Sequence, residues 1–271
     1  MSGRPVLQSF SGTRFAADDS RHAVPPKHTP RQNDILAALP PEDYARVLPA
    51  LEPVPLALGW IVHGSGDPQN YLYFVTEGII SRMFVTENGA SAGFAVTGRE
   101  GVIGIATFLG GSSTPNQAVV TSPGYAYRLK ADLLMNEFEE HFPLRHWLLR
   151  YTQALISQAG QIAVCNRHHP VDQQLCRWIL SCLDRLPSNE LVMTQELIGH
   201  ALGVRREGIT EAAGKLQKAG LIHYSRGTIS VVDRARLKAR ACECYAVIKA
   251  EYDRLLAAEL ADRNAGVRVH L

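Results

Sequence analysis

Along the 271-residue chain the spacing of apolar positions changes several times, and each change marks a different kind of element. Residues 1–33 mix Ser, Gly, Arg, Asp and Pro, with Pro25-Pro26 and Pro30, and show no sustained apolar period, which predicts a mobile tail. Asp34–Leu39 and Pro41–Leu51 read as short helices. From Trp60 to Leu129 the pattern is short runs of β-branched and aromatic residues: Tyr71–Val75, Ile79–Val85, Gly93–Val96 and Ala118–Thr121. Between them lie turn residues at Gly64-Ser65-Gly66-Asp67, Glu77-Gly78, Glu87-Asn88-Gly89 and Ser122-Pro123-Gly124. Strands at that regular spacing predict an all-β sandwich or barrel.

The period then lengthens. Leu144, Leu148, Tyr151, Leu155, Gln158, Ile162 and Cys165 recur at alternating intervals of four and three, the seam of a coiled coil. A long helix with one apolar seam needs a partner, and a second copy of the chain is the favoured one, with Tyr151, Leu155 and Ile162 central to a homodimer. Packing of the seam on the chain's own β-domain is the alternative. His168-His169-Pro170 ends the helix and reads as a hinge, with metal binding by His168-His169 together with Asp172 as the less favoured alternative. Val171–Leu186 forms another helix, with Leu175, Ile179 and Leu183 on one side. Arg234–Leu260 reads as a continuous helix whose stripe runs Leu237, Ala241, Cys244, Ile248, Tyr252, Leu255, Leu256, suited to cover the preceding domain or the seam.

Residues 193–232 carry the sharpest local signals. Thr194 is placed to cap a helix and Glu196 to sit at its positive end, with Leu197, Ile198 and Ala201 as the apolar face. Gly203 suits a left-handed turn residue. In the helix that follows, Ile209, Ala213 and Leu216 share a buried stripe, which leaves Arg205, Arg206, Thr210 and Glu211 outward. Gly208 and Gly214 cost roughly 1 kcal/mol each against alanine and suggest close packing or close approach to backbone. Leu221–Tyr224 and Thr228–Val232 read as paired strands around Ser225-Arg226-Gly227. Together these form a helix-turn-helix with a wing, which fits the major groove of duplex DNA. A guanidinium can bond guanine O6 and N7 together and a carboxylate can accept from cytosine N4, so Arg206 and Glu207 are the leading base readers, joined by Arg205 and Thr210. Thr194, Gln195 and Arg226 are the expected phosphate contacts.

Charge agrees with that placement. Residues 34–165 carry 7 Lys+Arg against 12 Asp+Glu, net −5, whereas residues 194–240 carry 9 against 4, net +5. A run of about 18 apolar residues is absent, as is a secretory pattern at the start, so a cytoplasmic location is expected and no membrane partner. Cys165, Cys176, Cys182, Cys242 and Cys244 have no framework spacing and are expected as reduced structural thiols. Cys242-x-Cys244, placed on a helix, would point its side chains apart. No metal, cofactor or catalytic set is expected: His63 is the one histidine between His28 and His141, no cysteine precedes Cys165, and no nucleophile stands with a base.

A glycine-punctuated β-domain, a long helix and a winged helix-turn-helix in that order resemble the Crp/Fnr superfamily of bacterial transcription regulators, over about residues 34 to 240. The most specific part is Gly203-Val204-Arg205-Arg206-Glu207 through Leu221-Ile222. The resemblance implies an α+β fold: an N-terminal β jelly roll of the cyclic-nucleotide-binding type (34–140), a dimerisation helix and hinge (141–169), a winged helix-turn-helix (170–233) and a C-terminal helical extension (234–271). It implies that Arg206 and Glu207 read a G·C pair. The family's further basic reader falls on Glu211. The implied partners are inverted-repeat DNA, a second copy of the chain, RNA polymerase and a small-molecule effector. His63-Gly64-Ser65-Gly66-Asp67 and Gly101-Val102-Ile103-Gly104 look like the nucleotide-binding roll. Yet Ile105 stands where relatives that bind cyclic nucleotide place a ribose-binding glutamate, and Asn116 where they place the phosphate-binding arginine. Burying a phosphate without its cation costs about 3 to 5 kcal/mol, so cyclic AMP and GMP are not expected. The alternatives are a constitutive DNA-binding factor with a structural β-domain, and a β-sandwich enzyme with a helical appendage.

Overall fold

A computed structural model describes residues 28–257. A 3-10 turn (Pro30–Gln32) leads into α1 (Asp34–Ala38) and α2 (Pro41–Val47). The sheet strands are β1 (Glu52–Leu56), β2 (Ile61–His63), β3 (Tyr71–Val85), β4 (Ser91–Thr97), β5 (Val102–Ile103) and β6 (Gln117–Lys130). After α3 (Ala131–Glu140) comes the 27-residue α4 (Phe142–His168). The remainder is α5 (Val171–Leu183), β7 (Glu190–Val192), α6 (Gln195–Leu202), α7 (Arg206–Lys218), β8 (Ile222–Ser225), β9 (Thr228–Val231), α8 (Arg234–Arg240) and α9 (Cys244–Tyr252). Among the described residues no helix is long and apolar enough to cross a membrane.

Most of the predicted tail lies outside the described residues, but its last residue is a keystone. Asn33 is fully buried. Its Oδ1 accepts from the amides of Ile35 and Leu36, capping α1, while its Nδ2 lies 2.9–3.0 Å from the carbonyl oxygens of Val75, Arg99 and Gly101. One side chain thus closes a helix and ties it to the sheet.

The β-domain is an antiparallel sheet in the order β1-β6-β3-β4, with β2 on β6 and β5 on β3. Two of the predicted turns are not turns. Glu77-Gly78 and Ser122-Pro123-Gly124 lie within β3 and β6, long strands that stay paired through a series of register shifts. Gly78 (φ 90°) faces the backbone of Ser122 and Pro123, and a Cβ on Gly124 would lie 2.2 Å from the Glu77 carbonyl oxygen, so the two strands crease together where side chains are missing. Strand β1 was not anticipated because Pro53 and Pro55 interrupt it. Both prolines lie on one side of an edge strand that pairs with β6, where their missing N–H groups face the open edge.

Helix α4 shows where the coiled-coil expectation fails. Leu144, Leu148, Tyr151, Leu155, Gln158 and Ile162 are each at most 5% exposed within a single chain. They pack with Ile35 and Leu36 of α1, Leu72, Phe74 and Leu129 of the sheet, and Ile248, Tyr252, Leu255 and Leu256 of the C-terminal segment. The hydroxyl of Tyr151 lies 2.9 Å from Thr97 Oγ1, and Gln158 Oε1 accepts from the Tyr252 hydroxyl at 3.1 Å. The repeat was real, but the chain's own β-domain and C-terminus cover it.

The C-terminal helix is also corrected. It breaks at Ala241–Glu243, where Ala241 is extended (ψ 154°), and resumes as α9 packed on α4. Cys242 and Cys244 therefore do not diverge; both join Cys165 in one buried cluster. Cys176 and Cys182 lie apart from it in the core around α5, their thiols pushed up to about 12 by burial.

A cavity-forming substitution on the inner face of α4 should act on folding. Leu148→Ala is expected to lower the unfolding free energy by about 2–5 kcal/mol in denaturant titration without changing the sedimentation coefficient of the folded protein; a dissociated but equally stable protein would restore Leu148 to a subunit seam.

Candidate nucleic-acid interface

Local chemistry builds the helix-turn-helix as expected. Thr194 Oγ1 accepts from the Leu197 amide at 3.2 Å and Glu196 occupies the first turn of α6. Gly203 ends α6 in the left-handed conformation at φ 70°. Ile209, Ala212, Ala213 and Leu216 bury one face of α7 against Leu175, Trp178 and Ile179 of α5 and Ile198 and Leu202 of α6. Gly199 was missed: a Cβ there would lie 2.9 Å from the Val204 carbonyl oxygen, so the tight turn requires glycine. Gly208 and Gly214 are the reverse, since a Cβ on either meets nothing within 4 Å. Close packing within the chain does not explain them.

The opposite face of α7 is open. Arg205 is the N-cap residue and Arg206 the first helical residue; both are exposed, as are Glu207, Thr210 and Glu211. Thr210 donates to Gln195 Oε1 at 2.8 Å, joining the start of α6 to the first turns of α7. Glu211 pairs with Lys215 at 2.8 Å, and that contact holds its carboxyl below the usual range.

The wing is a β8–β9 hairpin, with β7, a strand absent from the expectation, paired to β9. Its two-residue loop places both Arg226 (φ 49°) and Gly227 (φ 79°) in the left-handed region, as a hairpin twist demands. The Tyr224 hydroxyl donates to the Met193 carbonyl oxygen at 3.1 Å and fastens the wing to the start of α6. Thr194, Gln195, Arg206, Tyr224 and Arg226 thereby line one open groove of about 410 Å³, joined by Glu196. Four of the DNA contacts expected from sequence, Thr194, Gln195, Arg206 and Arg226, converge there, and Arg205, Glu207, Thr210 and Glu211 continue along α7 or at its start. Part of the basic surplus is paired within the chain: Arg234 with Asp184, and Arg240 with Asp172 at 2.7 Å.

The groove is held at a fixed place relative to the β-domain. Gly93 of β4 lies beneath α6, where a Cβ would come 2.3 Å from the Ala201 carbonyl oxygen, and Ser91 Oγ is 2.9 Å from His200 Nδ1. Arg185 donates to Glu100 at 2.6 Å, with both side chains largely buried. Burial opposes the Arg185 charge, but the Glu100 carboxylate, joined by Tyr252, outweighs it and the pKa is raised.

The segment resembling a nucleotide cassette is closed on itself. Gln69 accepts from the Ala106 amide at 3.1 Å and donates to Thr114 Oγ1 at 3.1 Å, while Ser65 donates to the Pro115 carbonyl oxygen at 2.8 Å. The adjoining cavity, between His63, Gln69, Tyr71, Tyr73 and Gly104, measures about 140 Å³ and has no cationic side chain in its lining. His63 is buried beside the Gly64 carbonyl, and desolvation pushes its pKa down.

Comparison with known proteins agrees with both halves. Residues 173–240 match the Crp-like helix-turn-helix domain and residues 54–141 the cyclic nucleotide-binding domain, together more than half of the chain. No curated protein sequence matches it. Among solved structures, a putative transcriptional regulator of the Crp/Fnr family from Eubacterium rectale is 18% identical, with a TM-score of 0.59, over 78% of this chain and 97% of its own. FixK2 from Bradyrhizobium japonicum is 17% identical, with a TM-score of 0.60, over 71% and 98%. The c-di-GMP-responsive regulator CLP of Xanthomonas campestris is 16% identical, with a TM-score of 0.58, over 71% and 99%. At these identities the likeness is one of fold.

Because Gly214 faces open space within a helix, Gly214→Ala is expected to stabilise the protein by up to about 1 kcal/mol. Thermal or denaturant unfolding measures it, and a loss of stability would show that the position is constrained after all.

Proposed function

The chain belongs to the Crp/Fnr family of DNA-binding transcription regulators, and from that premise we propose that it acts in the cytoplasm as a homodimer on an inverted-repeat operator, under a signal other than a cyclic nucleotide. The observation that carries the reading is the exposed row at the start of α7 opening into a groove whose far wall is the wing. Arg206 and Glu207 read a G·C pair, the guanidinium on guanine and the carboxylate on cytosine. Arg205 and Thr210 add contacts to neighbouring bases, while Thr194, Gln195 and Arg226 hold phosphates. Glu211, occupied by Lys215, brings no net charge to the groove. RNA polymerase is the partner such a regulator meets at a promoter.

The two-fold seam lies on the outward face of α4. Phe142, Leu149, Ile156 and Ala163 follow at intervals of seven, with Gln153 and Gly160 between the later ones, and all six are exposed. Ile156 is 61% exposed. Large apolar side chains repeated in this way on a 27-residue helix suit a coiled coil with a second copy, and Gly160, open on its outer side, allows close approach.

Ile105 and Asn116 supply neither a ribose carboxylate nor a phosphate cation, and the polar groups nearby are already paired within the chain. The same closure favours a second reading, in which the β-domain is structural and DNA binding constitutive.

Operator selection from random duplex DNA, followed by titration of variants, tests the reading. Arg206→Ala is expected to lose about 1–3 kcal/mol of discrimination at one base pair, whereas Arg226→Asn, which keeps a residue tolerant of the left-handed loop, should weaken binding to all sequences and lower the salt slope by about one. Cyclic AMP and GMP should leave both unchanged. Equal loss on every sequence for Arg206→Ala would remove it from base reading.

Ile156→Asp is expected to yield monomers in analytical ultracentrifugation with the fold intact by circular dichroism. A dimer that survives this change places the seam elsewhere.

A further inference from the structure

We propose that Cys165, His169, Cys242 and Cys244 form a tetrahedral site for a single divalent ion of the zinc class. One ligand atom from each residue lies within 4.8 Å of all the others. Cys165 Sγ is 3.6 Å from Cys242 Sγ, and Cys244 Sγ is 3.5 Å from His169 Nδ1. Zinc–sulfur bonds of about 2.3 Å and zinc–nitrogen bonds of about 2.0 Å give a tetrahedron edges of roughly 3.5–3.8 Å. These two pairs already have that separation. An iron–sulfur cluster spreads its thiolates over several irons and needs a wider frame.

The surroundings are those of an anionic sulfur centre. Arg177 is 2% exposed, its Nε donates to Cys165 Sγ at 3.2 Å, and among the described residues no carboxylate pairs with it. A guanidinium does not deprotonate, and burying it without a counter-charge is costly. Three neutral thiols provide none. Three thiolates and a neutral imidazole on a divalent ion carry one net negative charge, which matches Arg177. Gln161 Nε2 donates to Cys244 Sγ at 3.1 Å. His169 turns Nδ1 to the cluster and Nε2 toward Glu243 Oε1 at 3.3 Å, the carboxylate-backed arrangement that orients metal-binding histidines.

The site is assembled from the end of α4, the hinge after it, and the break between α8 and α9. Loading it displaces three thiol protons to solvent and forms three metal–sulfur bonds and one metal–nitrogen bond. The ion pins the C-terminal segment to the hinge, so that α9 stays on α4. The site stands independently of how the protein reads DNA.

The test uses the full chain purified under reducing conditions without chelator. Elemental analysis should give equimolar zinc that survives gel filtration, and exchange with cobalt(II) should give the visible absorption of a tetrahedral cobalt–thiolate centre. Cys242→Ser and Cys244→Ser should lose the zinc and alter the cobalt spectrum, while Cys176→Ser, a buried thiol outside the site, should change neither. Chelation of the wild-type protein should lower its melting temperature, which tests the site even if the serine variants fail to fold. Wild-type protein that carries no zinc and gives no cobalt absorption would overturn the proposal, as would iron with acid-labile sulfide or a Cys165–Cys242 disulfide in its place.

Discussion

Tyr151 fills the space left by Gly101, where a Cβ would come within 2.2 Å of the ring, and its hydroxyl reaches Thr97 and the Arg82 guanidinium. This contact fixes α4 against the β-domain in one rotation about its own axis. Since α4 is 27 residues long, that rotation decides which positions along its whole length face inward. Leu144 through Ile162 are committed to the sheet, α1 and the C-terminal segment. Leu149 and Ile156 are turned outward, Cys165 is brought to the hinge, and α5 is launched in the direction that places the helix-turn-helix on β4. Replacing either member of the Tyr151–Gly101 pair would loosen all of these together.

What could be read from the sequence follows the range of the interactions involved. The helix-turn-helix was legible because each of its devices acts within a few residues: Thr194 caps through the amide of Leu197, Gly203 turns the chain by its own φ, and Ile209, Ala213 and Leu216 share a face by helical period. The long-range devices were not. A four-three repeat states that a stripe is buried but not by what, so the inner face of α4 was assigned to a second chain. Glycine signals a bend, but Gly78 and Gly124 bend inside paired strands, which depends on residues 46 positions apart meeting. The cap that Asn33 places on α1 is local, but its ties to Val75, Arg99 and Gly101, like the role of Gly93, exist once α1 and α6 have docked.

The cysteines show the same limit. Their number and spacing suggested isolated thiols, and a continuous helix from Arg234 would have kept Cys242 and Cys244 on different sides. The break at Ala241–Glu243 reverses that conclusion, and Cys165 and His169 reach the same point because α4 ends there. An x-Cys-x-Cys-x segment is informative when the termination of the preceding helix is known, and that termination depends on tertiary packing as well as on propensity.

The docking of the DNA-binding half limits how a signal can act. Undocking α6 from β4 would separate the largely buried Arg185–Glu100 pair, although returning both charges to water offsets much of the lost attraction. Gly93 beneath Ala201 and Ser91 beside His200 would be lost with it. A ligand that prefers one arrangement tenfold supplies about 1.4 kcal/mol, and undocking would set that against all of these contacts together. Across the proposed outward face of α4, by contrast, Gln153, Gly160 and Ala163 present few side-chain atoms to unpack, so a rotation of two such units there breaks fewer contacts than undocking does. In the proposed dimer, regulation would then act on the angle between the two chains, with each β-domain and its α7 moving as one body.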